Sequence, residues 1–277
     1  RTARSCSRWP SWPKTWTKPL WSLRASGQSW LGAARRIVLL SRLNGRMTAN
    51  VLAHVLDRPV VSTLTGRQKH LAVQRGGAIR MHPDFGLFAG TLDDSPEGLA
   101  DLGALVREMG AVGLVEPTTP SPPPGTRIVS SAPCLQMVAE RVAPAWDVDF
   151  DMLPLGDADA AEMLALATLT KPGPFFSRTH QLGDFIGVRV DGQLVAMAGQ
   201  RMRPDGYTEA SGVCVHPDHR GKGYAARLLR EVTATILATG EKAFLHSYAD
   251  NATAIGLYES LGYRGRAEVM FTILAAA

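Results

Sequence analysis

The sequence predicts an α+β fold, with a mixed, mostly antiparallel central sheet flanked by helices and a smaller α/β domain before it. Residues 184–215 read as three strands joined at the turns Asp191-Gly192 and Asp205-Gly206. An Asp-Gly pair between alternating apolar runs is typical of antiparallel hairpins. From residue 223 onward, helical and strand patterns alternate. Hairpins followed by helix–strand–helix–strand indicate a mixed sheet.

The first 46 residues differ in composition from the rest. The chain has a formal net charge of +5, yet residues 1–46 hold ten Lys or Arg and no Asp or Glu. Residues 47–277 therefore carry a net charge of −5, which does not favour binding to nucleic-acid phosphates. We interpret residues 1–46 as a non-native or disordered leader before a native start at Met47. The alternatives are a transit peptide, which is also basic and acid-poor, and a nucleic-acid-binding segment of interleaved tryptophans and cations.

Cysteine usage and hydropathy bound the cellular context. The three cysteines, Cys6, Cys134 and Cys214, have neither disulfide nor metal-site spacing, which favours a reducing compartment. No apolar run reaches the roughly 18 residues of a membrane span. The sequence thus predicts a cytoplasmic protein with no metal and no membrane partner.

Residues 47–144 are predicted to form the smaller α/β domain. Ser95 caps a helix that has Pro96 in its first turn and Gly110 at its end. Residues 87–92 and 110–116 are predicted strands, and the proline-rich residues 117–125 an extended connector. Two patterns stay open, namely 58–64 as a helix start or a strand, and 127–140 as two strands or a strand and a turn.

Residues 147–277 are predicted to form the larger domain. The expected order is a strand (148–155), a helix (157–170), the three hairpin strands, a helix (223–239), a strand (243–249), a helix (252–261) and a last strand (267–274). Glycines 240 and 262 end the last two helices.

The stretch "VHPDHRGKGYA" lies between a predicted strand and a predicted helix. The first N–H groups of a helix have no intrahelical partner, and the helix dipole adds partial positive charge there. Gly221 and Gly223 leave room for close backbone approach, and Arg220 and Lys222 add charge. The pattern predicts a cradle for a pyrophosphate. It has neither the Walker spacing nor the Rossmann fingerprint.

A second motif, "NATAIGLYESLGY" at 251–263, begins with a helix-capping Asn251. Together, R-G-K-G-Y-A and N-x-x-A-x-x-L-Y-E-x-x-G-Y resemble two ordered signatures of the GNAT superfamily of acyl-CoA-dependent N-acetyltransferases. The resemblance covers roughly residues 147–276 and implies acetyl-CoA as co-substrate.

The resemblance also implies site residues. The backbone of Val213, Cys214 and Val215 would pair with the pantetheine arm, and Asn251 would contact it. The pyrophosphate would be held by Arg220, Gly221, Lys222, Gly223, Tyr224 and Ala225. Glu209 would be the general base and Tyr258 the general acid. The alternative for Glu209 is a solvent-facing strand residue, and for Tyr258 a core aromatic whose hydroxyl bonds a carbonyl.

Other reactive side chains have plainer interpretations. Cys214 lacks an activating base at a fixed offset, so we expect a buried apolar residue. His216 and His219 lack further metal ligands and are predicted loop residues. The residues that could line an acceptor pocket are His180, His246 and Tyr248, while Phe175 and Phe176 are expected to pack in the core.

The predicted function is acetyl-CoA-dependent N-acetyltransfer to a primary amine of a small or amino-acid-like acceptor, directly within a ternary complex. The expected partners are acetyl-CoA and that amine, with no nucleic acid, in a monomer or homodimer. Residues 47–144 are interpreted as a degenerate, non-catalytic partner domain that walls the acceptor site. The alternatives are a protein N-terminal acetyltransferase and a non-catalytic acyl-CoA sensor.

Overall fold

A computed structural model describes residues 54–147 and 149–277, so the predicted leader lies outside the described residues. The helices are α1 (Pro59–Thr65), α2 (Pro96–Met109), α3 (Ala160–Thr170), α4 (Tyr224–Ala238) and α5 (Ala252–Ser260). The strands are β1 (Ala72–Arg75), β2 (Ala78–Met81), β3 (Ala89–Thr91), β4 (Val112–Glu116), β5 (Thr126–Ala139), β6 (Leu153–Leu155), β7 (Phe185–Val190), β8 (Gln193–Gln200), β9 (Tyr207–Val215), β10 (Lys242–Tyr248) and β11 (Arg264–Ala276).

An eight-stranded sheet forms the centre of the fold, in the order β4-β11-β5-β10-β9-β8-β7-β6. Its neighbours are antiparallel except β9 and β10, which are parallel. Strands β1, β2 and β3 form a small antiparallel sheet, joined to the large one by a bridge between Phe88 and Gly113. The predicted mixed, mostly antiparallel α+β class is confirmed.

The large sheet combines strands from both predicted domains. Strand β5, before the predicted boundary, lies between β10 and β11, which both come after it. Strand β4 pairs with the other edge of β11. The division near residue 145 stays a prediction, and the strands on its two sides share one set of hydrogen bonds.

Residues 126–139 form one long strand rather than the two predicted elements. Strand β5 pairs with β11 along its length, while its pairing with β10 begins only at Cys134. Pro133, which has no N–H to donate, lies just outside that second ladder. Its carbonyl accepts from the Ala249 amide at 3.0 Å. Because the N–H and C=O of one strand residue point to the same side, the missing donor removes no bond to β11.

Local signals predicted most other elements correctly. Ser95 accepts a hydrogen bond from the Gly98 amide at 3.0 Å, as its capping role required. Residues 58–64, left open by the sequence, belong to α1, while the strand predicted at 148–155 shrinks to Leu153–Leu155. The hairpin of β1 and β2, which turns at Gly76 and Gly77, was not predicted.

Each face of the large sheet carries its own core. The apolar face of α4 packs on one side, against residues that include Ala243 and Leu245 of β10. Helix α1 packs on the other side, in a cluster that includes Phe244 of β10 and Phe88. The alternation along β10 thus separates the two cores. In the described part of the chain, no helix is both long enough and apolar enough to cross a bilayer.

Gly199 tests the packing of the central sheet. A Cβ there would lie 2.3–2.6 Å from three ring carbons of Phe185, which cannot move without displacing the core. Gly199→Ala should therefore lower the free energy of unfolding by about 1–3 kcal/mol. Gly256→Ala is the control, because that helical position has nothing within 4 Å and alanine favours helix by about 1 kcal/mol. Urea unfolding measures both, and equal stability of the two variants would contradict the packing.

Candidate active site

A cleft opens where the parallel strands β9 and β10 separate. They pair only over three residues, from Tyr207 with Lys242 to Glu209 with Phe244. Beyond that point β9 continues only alongside β8, and β10 only alongside β5. A bulge in β9 accompanies the separation, because Gly212 adopts φ +66° between the paired residues Ser211 and Cys214. Such a bulge bends its strand and leaves backbone groups unpaired.

The predicted phosphate cradle lies at the start of α4. Gly221 and Gly223 have φ of +79° and +80°, and a Cβ at either would meet nothing within 4 Å. Gly223 caps the helix without a side-chain bond, and its carbonyl accepts from the Arg227 amide at 3.1 Å. The preceding amides of the first turn have no intrahelical acceptor. All six predicted residues line a pocket of about 240 Å³ here, namely Arg220, Gly221, Lys222, Gly223, Tyr224 and Ala225.

The residues predicted to face the pantetheine divide by strand alternation. Val213 lines the cleft and Val215 lines the cradle. The Cys214 side chain packs instead in a buried cluster, where burial raises the pKa of its thiol to about 11. The structure thus agrees with the expectation of a buried, inert Cys214. Asn251 lines the cleft and caps α5, since its Oδ1 accepts from the Ala254 amide at 3.2 Å.

Tyr258 lines the same cleft from α5. Its ring packs edge-on against Tyr263, with 6.3 Å between ring centres. Its hydroxyl makes no hydrogen bond to any described residue. Burial raises the pKa of Tyr258, so the phenol keeps its proton at neutral pH. The general-acid role stays a prediction, and the protonation state is the one it requires.

Glu209 is the last residue of β9 that pairs with β10, and it is fully buried. Its carboxylate accepts from Arg201 Nε and Nη2, both at 2.8 Å, and from His246 Nδ1 at 2.9 Å. Burial alone would raise the pKa of Glu209. The charge and hydrogen bonds of Arg201, followed by the hydrogen bond of His246, outweigh that effect and lower the pKa to about 2.

The base role of Glu209 stays a prediction, and these contacts do not favour it. Both of its oxygens are engaged, and a carboxylate of such low pKa has little affinity for a proton from an amine. The solvent-facing alternative is wrong, because the side chain is 1% exposed. The ion pair with Arg201 was not predicted from the sequence. The signal that could have revealed this ion pair is the placement of Arg201 and Glu209, which carry opposite charges, across the hairpin that turns at Asp205-Gly206.

Glu209 belongs to a row of polar side chains that crosses the sheet strand by strand. The row runs from Arg201 at the end of β8 through Glu209 on β9, His246 on β10, Gln136 on β5 and Arg266 on β11 to Asp57. Its links after Glu209 measure 2.9, 3.0, 2.8 and 2.5 Å in that order. Sequence reasoning found neither Gln136 nor Arg266.

The row fixes the tautomer of His246. Gln136 Oε1 accepts from Arg266, so its amino group donates to the Leu56 carbonyl at 2.9 Å and to His246 Nε2 at 3.0 Å. His246 Nε2 is therefore an acceptor, and Nδ1 carries the proton given to Glu209. Because both ring nitrogens make hydrogen bonds, the His246 ring is held in place.

The other wall of the cleft is apolar and comes from the first half of the chain and the last strand. It includes Phe88, Val115, Cys134 and Phe271. Burial raises the pKa of the Cys134 thiol to about 12, with the charge of Asp250 adding to the effect, so this side chain stays neutral. The open volume of the cleft is about 140 Å³.

The remaining candidates fall into two groups. Tyr248 lines the cleft alongside His246. His180 does not line it, and its Nε2 lies 2.8 Å from Asp157 Oδ1 instead. His216 caps a short 3₁₀ turn, Pro217–His219, and His219 is its last residue, as expected for loop residues. Residues 54–147 and 149–277 contain no group of three or more His, Cys, Asp or Glu arranged to hold a metal.

Comparisons with known proteins agree with this arrangement. The family model described as FR47-like protein matches residues 186–272. A protein from Novosphingobium aromaticivorans, assigned to the GNAT family of acetyltransferases, is 47% identical with a TM-score of 0.76, over 81% of this chain and 100% of that chain. A GCN5-related N-acetyltransferase from Kribbella flavida shares the fold at 21% identity and a TM-score of 0.56, over 79% of this chain and 96% of that chain. No curated protein matches the chain.

Glu209→Gln should flatten the loss of stability in acid. The folded pKa of about 2 lies below the ordinary value of 4.5, so the stabilisation is present above about pH 4.5 and is lost as the pH falls toward 2. The full difference corresponds to roughly 3 kcal/mol, of which about 2 kcal/mol is lost by pH 3. Urea unfolding between pH 7 and pH 3 measures it. Glu108→Gln, at a side chain 57% exposed, should leave the slope as in the wild type. Equal slopes for wild type and Glu209→Gln would show that the carboxylate is not held this way.

Proposed function

The chain belongs to the GNAT family of acetyltransferases, and we propose that it transfers an acetyl group from acetyl-CoA to the primary amine of a small or amino-acid-like acceptor. One observation carries the proposal: a cleft between separating strands leads to a helix start that has no side-chain cap and follows two glycines in the left-handed region. The cleft could hold an extended pantetheine arm, and the helix start could bind the phosphates attached to it.

The donor half of the site fits acetyl-CoA. The first-turn amides of α4, the dipole of that helix and the nearby Arg220 and Lys222 all favour a pyrophosphate. The unpaired edge of β9 beyond Glu209 offers backbone groups to the amides of a pantetheine arm. Val213 and Val215 would line that path, and the side-chain amide of Asn251 would lie beside it.

Acetyl-CoA supplies an acetyl group activated as a thioester. The amine nitrogen forms the new bond to the acetyl carbon, the carbon–sulfur bond breaks, and the sulfur takes a proton as the amine loses one. Tyr258 is the proposed donor of the proton to sulfur, because its neutral hydroxyl opens onto the cleft without a protein partner among the described residues. Holding both substrates in one narrow cleft supplies the rest of the rate enhancement.

Glu209 has a positioning role in this proposal. Its ionised carboxylate holds Arg201 on one side and His246 on the other. The amine then reacts from the fraction that is already unprotonated. The rate should therefore follow the titration of the acceptor amine, and no low-pH limb should arise from Glu209.

Gly223→Glu tests the donor site. The substitution places a carboxylate and a Cβ where the pyrophosphate would lie, so acetyl-CoA binding should fall by at least about tenfold. Gly240→Glu is the matched control, because Gly240 lies past the other end of α4, has φ +83° and has nothing within 4 Å. It introduces the same charge and backbone strain away from the cradle. Calorimetric titration of both variants with acetyl-CoA decides the matter, and equal affinities would overturn the donor site.

Tyr258→Phe tests turnover against mere acyl-CoA binding. Loss of the proton donor should lower kcat by about 10²-fold or more, with little change in acetyl-CoA affinity. Tyr263→Phe is the control, since that hydroxyl bonds Thr233 at 2.8 Å inside the core and faces no substrate. Thiol release in the presence of amines is the measurement. A protein that binds acetyl-CoA but shows no turnover with any amine would be a sensor instead.

A further inference from the structure

Arg201 is held rigidly, with one nitrogen left over. Its Nε and Nη2 bind Glu209, and its guanidinium carbon lies 4.6 Å from the centre of the Phe88 ring. Its third nitrogen, Nη1, makes no hydrogen bond within the described part of the chain. Among the described residues, the buried polar atoms without a hydrogen-bond partner do not include Nη1, so this nitrogen is in contact with solvent. Because Arg201 lines the cleft and its side chain is 11% exposed, Nη1 keeps two N–H donors available to a bound molecule.

The surroundings leave the outward edge of Arg201 positive. The charge of Glu209 is shared among four donors, which are two nitrogens of Arg201, His246 Nδ1 and the Met202 amide. A guanidinium fixed on one edge loses little further side-chain entropy when it binds an oxygen with the other. Its planar N–H groups match the geometry of an anionic oxygen group such as a carboxylate.

The wall next to Arg201 is apolar. Phe88, against which the guanidinium stacks, lines the cleft together with Val115 and Phe271. The open volume of about 140 Å³ is close to that of a cavity that binds benzene. We therefore expect the part of the acceptor inside the cleft to be small, with an apolar group beside the group that Arg201 binds.

We propose that Arg201 binds the carboxylate of an apolar free amino acid, whose side chain packs against Phe88, Val115 and Phe271 and whose α-amine is acetylated. This inference rests on the proposed function and narrows its acceptor class. It separates free amino acids from protein N-termini, which present an uncharged carbonyl at the same place. Arg201 then acts in substrate binding and through its bond to Glu209, without exchanging a proton.

Three acceptors that differ in one group provide the test on the unaltered protein: phenylalanine, phenylalaninamide and phenethylamine. Each keeps the aromatic group and the amine, and they carry a carboxylate, an uncharged amide or neither. Thiol release from acetyl-CoA gives kcat/KM for each, expressed per unprotonated amine because the three amines titrate differently. Phenylalanine should exceed phenethylamine by at least about tenfold, with the amide between them, since hydrogen bonds to charged groups are the stronger ones.

Arg201→Lys adds a second measurement. Lysine keeps the charge opposite Glu209 but has no planar fork, so the preference for phenylalanine over phenethylamine should shrink by at least about tenfold. Arg203→Lys is the matched control, because Arg203 lies two residues along the same segment and does not line the cleft. It should leave the preference as in the wild type.

The outcomes separate this inference from the proposed function. If amines are acetylated but the wild type prefers the amide or phenethylamine, Arg201 does not bind a carboxylate while the enzyme activity stands. If no amine is acetylated although acetyl-CoA binds, both proposals fall. A wild-type preference that survives Arg201→Lys unchanged would place the carboxylate on another group and overturn the assignment to Arg201.

Discussion

The ion pair between Arg201 and Glu209 lies where β9 and β10 stop pairing, and the site depends on it. Opening a sheet from within exposes backbone and side chains that would otherwise be sealed. Here the last paired residue is a buried carboxylate, and it is held from three directions by Arg201, His246 and the Met202 amide. Removing one partner of such a buried pair typically costs about 3–5 kcal/mol, because the other charge is left unpaired. The point where β9 and β10 separate is therefore held by electrostatic interactions as well as by apolar packing.

The polar row has a consequence for the geometry of the cleft. It lies on the α1 side of the sheet, where Phe244 packs, whereas Leu245 faces the α4 side. Both Leu245 and His246 line the cleft, so the gap between the strands connects the two faces of the sheet. The start of α4 lies on one face of the sheet, and the polar row with the apolar wall lies on the other. Under the proposed function, the donor and the acceptor would reach this gap from opposite faces of the sheet.

Sequence patterns predicted the parts of this arrangement that depend on neighbours in the chain. The turns at Asp191 and Asp205, the cap at Ser95 and the glycines of the cradle are each determined within a few residues. The polar row could not be predicted in that way, because Gln136 and His246 are 110 residues apart and meet only through strand pairing. Glu209 shows the limit most directly. Its place on the strand before the cradle was read from the sequence, but the direction of its pKa shift depends on Arg201, which faces it across the hairpin.

Residues 54–139 carry no recognisable motif, yet they contribute to the site. Strand β5 lies between β10 and β11 in the sheet. Residues 126–139 therefore form hydrogen bonds along both edges of β5 with strands from residues 147–277, the part of the chain that carries the motifs. This segment also supplies Gln136, which fixes the tautomer of His246, while Phe88 and Val115 form the apolar wall. The predicted cradle and the proposed acid could be located from local spacing, because acyl-CoA donors share the same phosphates and thioester. The acceptor wall is assembled from distant residues, so its specificity becomes visible only once the strands are in register.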